Sequence, residues 1–440
     1  MASVTRDHPA PLFGRVVGPL QRFFAHEAAG GALLFMTALL AMVAANSDLS
    51  ALYAQLVHAT ITLGVGTNAL RFDIATFVND GLMTVFFFVV GMEVKRELVS
   101  GELRTMQRAL LPAVAAAGGM AVPAGIYAFL NAGTPAAVGW GVPVATDIAF
   151  VIGCLSLLGK RVPQGLAVFV VALAIFDDIG GILVIALRYG NGLHFPALVA
   201  AGGIVVVLVL LNRLRVVHWA AYAACGVGLW LALHHGGVHA TLAGVVLGLA
   251  VPANARRSAA DVLRELREYL KALPCESDAE LKGGEIAHIE DRLEDMQSPL
   301  ERFVEALHPL QVYFIMPFFA FVNAGVDIRG MSFADLATPV PLGVALGLIV
   351  GKQVGVFGAT FIAVKARLAP MPTGGTWWGL YGVSVLAGIG FTVALFIADL
   401  AFADVPQHLS LAKVGILVGS LVSGLIGFAV LRLQRPAASA

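Results

Sequence analysis

Apolar stretches of about twenty residues alternate with short polar ones along this chain, from residue 28 almost to the C-terminus. A helix that crosses a bilayer needs about 20 mostly apolar residues. Twelve stretches fit: 28–46, 74–92, 108–130, 142–158, 164–189, 196–211, 217–234, 237–252, 308–326, 340–363, 377–399 and 410–432. The fourth, sixth and eighth are short. The predicted fold class is therefore an all-α polytopic membrane protein with about 12 transmembrane helices. Segments 1–27 and 433–440 flank it as an N-terminal segment and a tail. Spans one to eight fill 28–252, and spans nine to twelve fill 304–432. The stretch ending V-A-A near residue 45 resembles a signal-peptide cleavage site. Twenty-nine residues precede residue 30, however, and it reads as the first membrane helix.

Two polar segments stand out. Residues 49–73 include the β-prone run A-T-I-T-L-G-V and predict an external surface hairpin. Residues 253–303 are charged, with helical patterns in A-A-D-V-L-R-E-L-R-E-Y-L-K-A-L and I-E-D-R-L-E-D-M. Opposite charges three and four residues apart support such helices modestly. This segment reads as a solvated cytoplasmic pair of amphipathic helices.

Positive charge fixes the orientation. With a cytoplasmic N-terminus, 23 of the 28 Lys and Arg residues fall on the inner side. Only Arg71, Arg188 and Arg329 fall outside, and Lys352 and Lys413 lie within spans. Both termini are then cytoplasmic.

Composition narrows the function. With 58% hydrophobic and only 13% charged residues, the chain is neither a typical soluble enzyme nor disordered. Its 49 glycines suit closely packed membrane helices. Acidic and basic residues balance at 28 each, which gives no basic surplus for nucleic acid. Cys154, Cys225 and Cys275 have no disulfide or metal spacing. No nucleotide motif is present, so any transport would be driven by ion gradients, and no cofactor is expected.

A charge in mid-membrane costs at least about 2.5–3.5 kcal/mol on insertion scales, and such residues mark function or pairing. They are Asp80, Asp147, Asp177, Asp178 and Lys352, with Glu93, Asp399 and Lys413 near span ends. Asp177 and Asp178 lie in the middle of span five, in A-I-F-D-D-I-G. Successive helical residues point about 100° apart, so one can face a wet cavity while the other contacts a neighbouring helix. Neighbouring carboxylates out of water favour the protonated form. Such a site can therefore exchange a proton for a small hard cation, which also prefers oxygen ligands.

Asp147 follows Pro143 and Thr146 in G-V-P-V-A-T-D. Proline disfavours a continuous helix there, and Thr146 and Asp147 can cap a restarting one. Span four is thus predicted to be interrupted, although an ordinary cap at the membrane surface would read the same way. Gly388 and Gly390 suggest a second interruption in span eleven. Two broken helices at matching places fit inverted-topology repeats, here spans three to five and ten to twelve. Lys352 lies deep in span ten and needs an anion, for which Asp177 and Asp178 are the candidates; end snorkelling is the alternative. His234, His235 and His239 cluster at a predicted external turn. His308 opens span nine on the cytoplasmic side, where it could sense pH.

These motifs, in order, resemble the NhaA-type bacterial sodium/proton antiporters over nearly the whole chain. They are F-F-F-V-V-G-M-E-V-K-R-E-L at 86–98, A-T-D-I-A-F at 145–150, A-L-A-I-F-D-D-I-G at 172–180, G-V-H-A-T-L-A-G-V at 237–245, P-F-F-A-F-V-N-A-G-V at 317–326, G-K-Q-V-G at 351–355 and G-I-G-F-T at 388–392. The resemblance implies a multi-pass homodimer in the bacterial inner membrane, surrounded by lipid. It implies electrogenic, pH-dependent exchange of H⁺ for Na⁺ or Li⁺. Asp178 would be the main ligand of the transient cation, with Asp177 beside it and paired with Lys352. Thr146 would join the cation and proton site. Asp147 and Lys352 would offset the half-helix dipoles, and the 49–73 hairpin would hold the dimer. Glu93, Glu305, His308 and His239 would be candidates for the pH response. The chain departs from the family in its long 253–303 loop and in R-F-V-E-A-L-H-P-L, where Val304 stands in place of an acid. K⁺/H⁺ exchange by the same fold is the alternative. A channel fits less well, because the site must bind and release H⁺ alternately. An intramembrane aspartyl protease would need Asp after G-x-G, where this chain has Phe391.

Overall fold

The computed structural model describes residues 27–63, 70–188, 194–214, 216, 218–254, 259–272, 285, 289, 292–293 and 296–434. The N-terminal segment up to residue 26, the hairpin tip at 64–69, most of 273–295 with Cys275, and the tail from 435 lie outside the described residues.

The chain opens with α1 (Glu27–Ala45) and a short α2 (Ser50–Val57). Strands β1 (Thr60–Leu63) and β2 (Leu70–Asp73) then pair antiparallel, Thr60 opposite Asp73 and Leu63 opposite Leu70. The segment expected as a hairpin is thus one third helix: S-A-L-Y-A-Q-L-V lacks the β-branched run that follows it, and α2 turns 118° from α1. Next come α3 (Ile74–Val99) and α4 (Met106–Leu130). A 3₁₀ segment, α5 (Pro135–Val144), and α6 (Ile148–Leu158) follow. After them run α7 (Gln164–Arg188), α8 (Phe195–Arg213), α9 (Trp219–His235), α10 (Leu242–Ala250) and the charged α11 (Ala259–Ala272). The last part holds α12 (Pro299–Ala324), α13 (Phe333–Leu336), α14 (Pro339–Lys365), α15 (Trp377–Leu386), α16 (Phe391–Ala401) and α17 (Pro406–Leu433).

Among the described residues, 8 spans are long and apolar enough to cross a membrane, or up to 10 if each bent pair of helices counts as one. The bent pairs are α1 with α2 and α15 with α16. The shorter α9 and α10 lie where spans seven and eight were expected. The protein is a multi-pass membrane protein, and α8 buries almost nothing within it, with Val199, Val206 and Leu210 exposed as lipid-facing residues are.

Two expected boundaries move. The ninth span begins at Pro299, because Ser298 and Glu301 form a capping box at the end of the charged loop. His308 therefore sits in the third turn of α12 and does not open it. The fourth begins at Pro135, because G-W-G-V-P winds as a 3₁₀ helix that accommodates Pro143.

Packing divides the described helices into two groups. α4, α5 with α6, α7, α14, α15 with α16, and α17 form a six-part bundle. α3 packs on α10, α10 on α9, and α9 on α8; α12 joins α3 and α1. The α3–α10 seam needs glycine. A Cβ at Gly244 would strike the Thr84 carbonyl, and one at Gly91 would lie 2.8 Å from the Val245 carbonyl.

Candidate ion site

The centre of the bundle is where two helices stop and restart. α5 ends at Val144, Ala145–Asp147 are non-helical, and α6 begins at Ile148. α15 ends at Leu386, and α16 begins at Phe391 after A-G-I-G. Backbone freed at such breaks must find partners. Here the two breaks pair with each other: Asp147 N–H donates to the Ile389 carbonyl at 2.6 Å. The Thr146 hydroxyl lies 2.8 Å from the Ala387 carbonyl. This approach leaves no room for side chains at the glycines. A Cβ at Gly390 would lie 3.0 Å from the Ala145 carbonyl, and one at Gly388 2.5 Å from Ser423 Oγ.

Asp147 is fully buried and closes both restarting helices. Its Oδ1 accepts Phe150 N–H at 3.1 Å, as an N-cap of α6. Its Oδ2 accepts Thr392 N–H at 3.1 Å and the Thr392 hydroxyl at 2.6 Å. One carboxylate thus meets the positive ends of two helices. Ser420 on α17 takes another end donor, Phe391 N–H, at 3.1 Å.

Asp177 and Asp178 sit midway along α7, which lies against this crossing. Asp177 is fully buried. Its Oδ2 accepts Lys352 Nζ at 2.6 Å, and the Thr146 hydroxyl lies 2.6 Å from the same oxygen. Its Oδ1 is buried without a hydrogen-bond partner. Lys352 is also fully buried, and π-helical turns at Gly347–Gly351 and Gln353–Phe357 flank it. Such local unwinding re-aims a side chain and recurs at functional sites.

Asp178, the next residue of α7, points about 100° away from Asp177 around the helix. It forms no hydrogen bond or ion pair among the described residues and keeps 7% exposure. The charges that act on it are those of Asp177, Glu93, Asp147 and Lys352. Lys352 balances Asp177, and helix ends with Thr392 satisfy Asp147. Asp178 has no hydrogen-bond or ion-pair partner of its own among the described residues, and a buried carboxylate in that position must carry a proton or a cation.

The other expected residues fall into two sets. Glu93, on α3, is half-buried and reaches Asp178 electrostatically. His239 lies 3.0 Å from the Thr241 hydroxyl and meets the Phe396 ring edge-on at 5.8 Å. Glu305 and His308 are exposed on α12 and are not among the charges acting on Asp178. Sequence reasoning gave no role to Thr392 or Ser420. The available signal was a hydroxyl at the second position after the Gly388–Gly390 break, where a restarting helix still has open donors.

Comparison with known proteins places the chain in a family. A family profile described as Na+/H+ antiporter 1 matches residues 21–431. The antiporter NhaA of Anaeromyxobacter sp. (strain Fw109-5) is 56% identical over 429 residues, covering 97% of this chain and 94% of the relative. NhaA 1 of Myxococcus xanthus is 54% identical, covering 98% and 97%. The sodium proton antiporter MjNhaP1 of Methanocaldococcus jannaschii shares the fold at a TM-score of 0.52 and 15% identity, over 96% of this chain and 95% of that one. On the extent of the profile match and the identity to these relatives, the chain belongs to the Na+/H+ antiporter 1 family.

Proposed function

We propose that this protein is a secondary transporter that exchanges Na⁺ or Li⁺ for H⁺ at the Asp177–Asp178 centre. The observation that carries the reading is the free carboxylate of Asp178 beside the half-free carboxylate of Asp177. A proton or a hard cation can neutralise these oxygens, but the two compete for them. Competition at one site obliges exchange once the site opens to one side at a time. The relatives' printed names, Na+/H+ antiporters, agree with it and favour it over K⁺/H⁺ exchange.

Each residue has a role in this reading. Asp178 is the principal ligand of the transported cation. Asp177 adds its unpartnered oxygen, and Lys352 holds the other oxygen while the site is empty. Thr146 orients Asp177, and Asp147 supports the crossing of two interrupted spans. The exchange is electrogenic in this reading. The twelve-span count, with inverted repeats in spans three to five and ten to twelve, accommodates α9 and α10 as short spans. The bias of Lys and Arg supports cytoplasmic termini in a bacterial inner membrane. The β1–β2 hairpin and α2 project from α1 and are the proposed homodimer contact.

The test is collapse of a pH gradient by Na⁺ in proteoliposomes. The wild type should respond to Na⁺ and Li⁺, whereas Asp178→Asn should remain folded and give no response. Full exchange by Asp178→Asn would overturn the site; a response to K⁺ in place of Na⁺ would favour the alternative cation.

A further inference from the structure

A second polar layer lies between this centre and the external surface. Asn79 sits five residues into α3, roughly 8 Å along the helix from its external start. Its Nδ2 donates to Asp399 Oδ2 on α16 at 2.8 Å. Asn323, near the external end of α12, donates to Asn79 Oδ1 at 2.7 Å. Lys413 on α17 acts on Asp399 electrostatically but does not come within ion-pair distance of it. Asp80 and Asp73 are the other acids that act on Asp399, with His234 opposite Asp80.

The membership of these residues is informative. Asp399 and Lys413 belong to the six-part bundle, and Asn79 and Asn323 to the other group. The Asn79–Asp399 bond therefore joins the two groups on the external side. One turn before Asp399, Phe396 meets Phe87 and Phe319 of the other group at 5.4 and 6.4 Å. The outer half of α16 is thus pressed against α3 and α12 by an apolar contact and fastened by a polar one. Asp399 has two partners available, a neutral amide on the far group and an ammonium on its own.

We infer that Asp399 is a positioning residue for exchange: its bond to Asn79 fastens the external side shut, and opening transfers its carboxylate to Lys413. The inference rests on the antiport reading and identifies which contact holds one of its two states. A carboxylate with alternative partners suits this role, because neither state strands it in an apolar setting. Breaking the bond favours the state open to the outside. Apparent affinity scales with the fraction of protein in the competent state, so the two faces should respond in opposite directions.

The experiment uses full-length protein in oriented proteoliposomes, with the apparent KM for Na⁺ measured from each face. Asp399→Ala should lower the external KM about threefold and raise the cytoplasmic KM by a similar factor. Asp399→Asn keeps an acceptor for Asn79 and should restore the ratio toward wild type. Lys413→Gln removes the open-state partner and should shift the ratio the other way. If Asp399→Ala does not fold, Asn79→Ala breaks the same bond from the other side with the same expected shift. Unchanged KM values on both faces, or shifts in the same direction, would overturn the latch. Wild-type protein that exchanges no Na⁺ for H⁺ would overturn the antiport reading itself, a distinguishable result.

Discussion

Asp147 and Thr392 are 245 residues apart, yet Asp147 Oδ2 takes both the backbone N–H and the hydroxyl of Thr392, at 3.1 and 2.6 Å. The same carboxylate caps its own helix through Phe150 N–H. The starts of α6 and α16 are thereby fastened at one buried point. Neither α6 nor α16, at 11 residues each, would be stable alone.

Asp147→Ala should accordingly cost more than an ordinary cap. It removes two caps, each worth about 1 kcal/mol, and leaves buried donors unpaired at about 1–3 kcal/mol each. A loss on the order of 3–5 kcal/mol is expected in thermal unfolding. Thr392→Val removes one hydroxyl donor and should cost about 1–2 kcal/mol. If Asp147→Ala costs no more than Thr392→Val, the double-cap account fails.

Lys352 and Asp177 form a buried ion pair at 2.6 Å. Removing one partner of such a pair typically costs about 3–5 kcal/mol, because the other charge is stranded. Lys352→Ala should therefore destabilise strongly, and adding Asp177→Asn should recover part of the loss. The double-mutant cycle measures this coupling directly. Additive losses would show that the pair does not stabilise the fold.

Gly388 lies where a Cβ would strike the Leu348 carbonyl and approach Ser423 Oγ at 2.5 Å. Backbone cannot move aside cheaply in a packed bundle. Gly388→Ala should push α15 and α16 away from α14 and disturb the crossing. We expect exchange reduced at least tenfold, with a lower melting temperature. Gly125, which has open space around it, is the control: Gly125→Ala should leave both unchanged.

At the start of α3, Asp73 caps the helix by accepting Thr76 N–H at 2.8 Å. Partial burial raises its pKa, but hydrogen bonds from Thr76 and the His58 ring outweigh that and hold the carboxyl below the usual range. A carboxylate depressed in the folded state stabilises it above the unfolded pKa, near 3.9. That contribution is lost as pH falls through the lower, folded value. Hydrogen exchange at Thr76 should therefore accelerate below about pH 4 relative to the intrinsic rate, and Asp73→Asn should remove the transition. Protection of Thr76 that does not change between pH 5 and 3 would contradict this.

How much of this was readable beforehand differs from residue to residue. Asp177, Asp178, Asp147 and Lys352 stood out because charge in apolar sequence is costly and rare. Pro143 and Gly388–Gly390 stood out because proline and glycine disturb helices locally. Boundaries set by capping or by alternative helix geometry were not visible. The capping box at Ser298 starts α12 inside a segment read as loop, and the 3₁₀ winding from Pro135 lengthens the fourth span. Asn79 gave no sequence signal at all: an asparagine near a span end is ordinary until Asp399, 320 residues later, is placed beside it.

The pH response of exchange separates two mechanisms. Protons and Na⁺ compete for the same carboxylate oxygens, so apparent Na⁺ affinity should weaken as pH falls and level off at high pH. Saturating Na⁺ outruns that competition. Glu305 and His308, the sensor candidates on α12, are exposed and are not among the charges acting on Asp178, whereas Glu93 is. The double variant Glu305→Ala, His308→Ala should thus shift the pH profile only slightly. Glu93→Gln removes a negative neighbour of Asp178 and should favour its ionised form. Na⁺ should then compete successfully at lower pH, and the profile should move toward acid. The measurement is exchange rate against pH at limiting and at saturating Na⁺ for the three proteins. Loss of all pH dependence at saturation in the wild type would make competition sufficient. Dependence that persists at saturation and vanishes only in the Glu305, His308 double variant would place the sensor on α12.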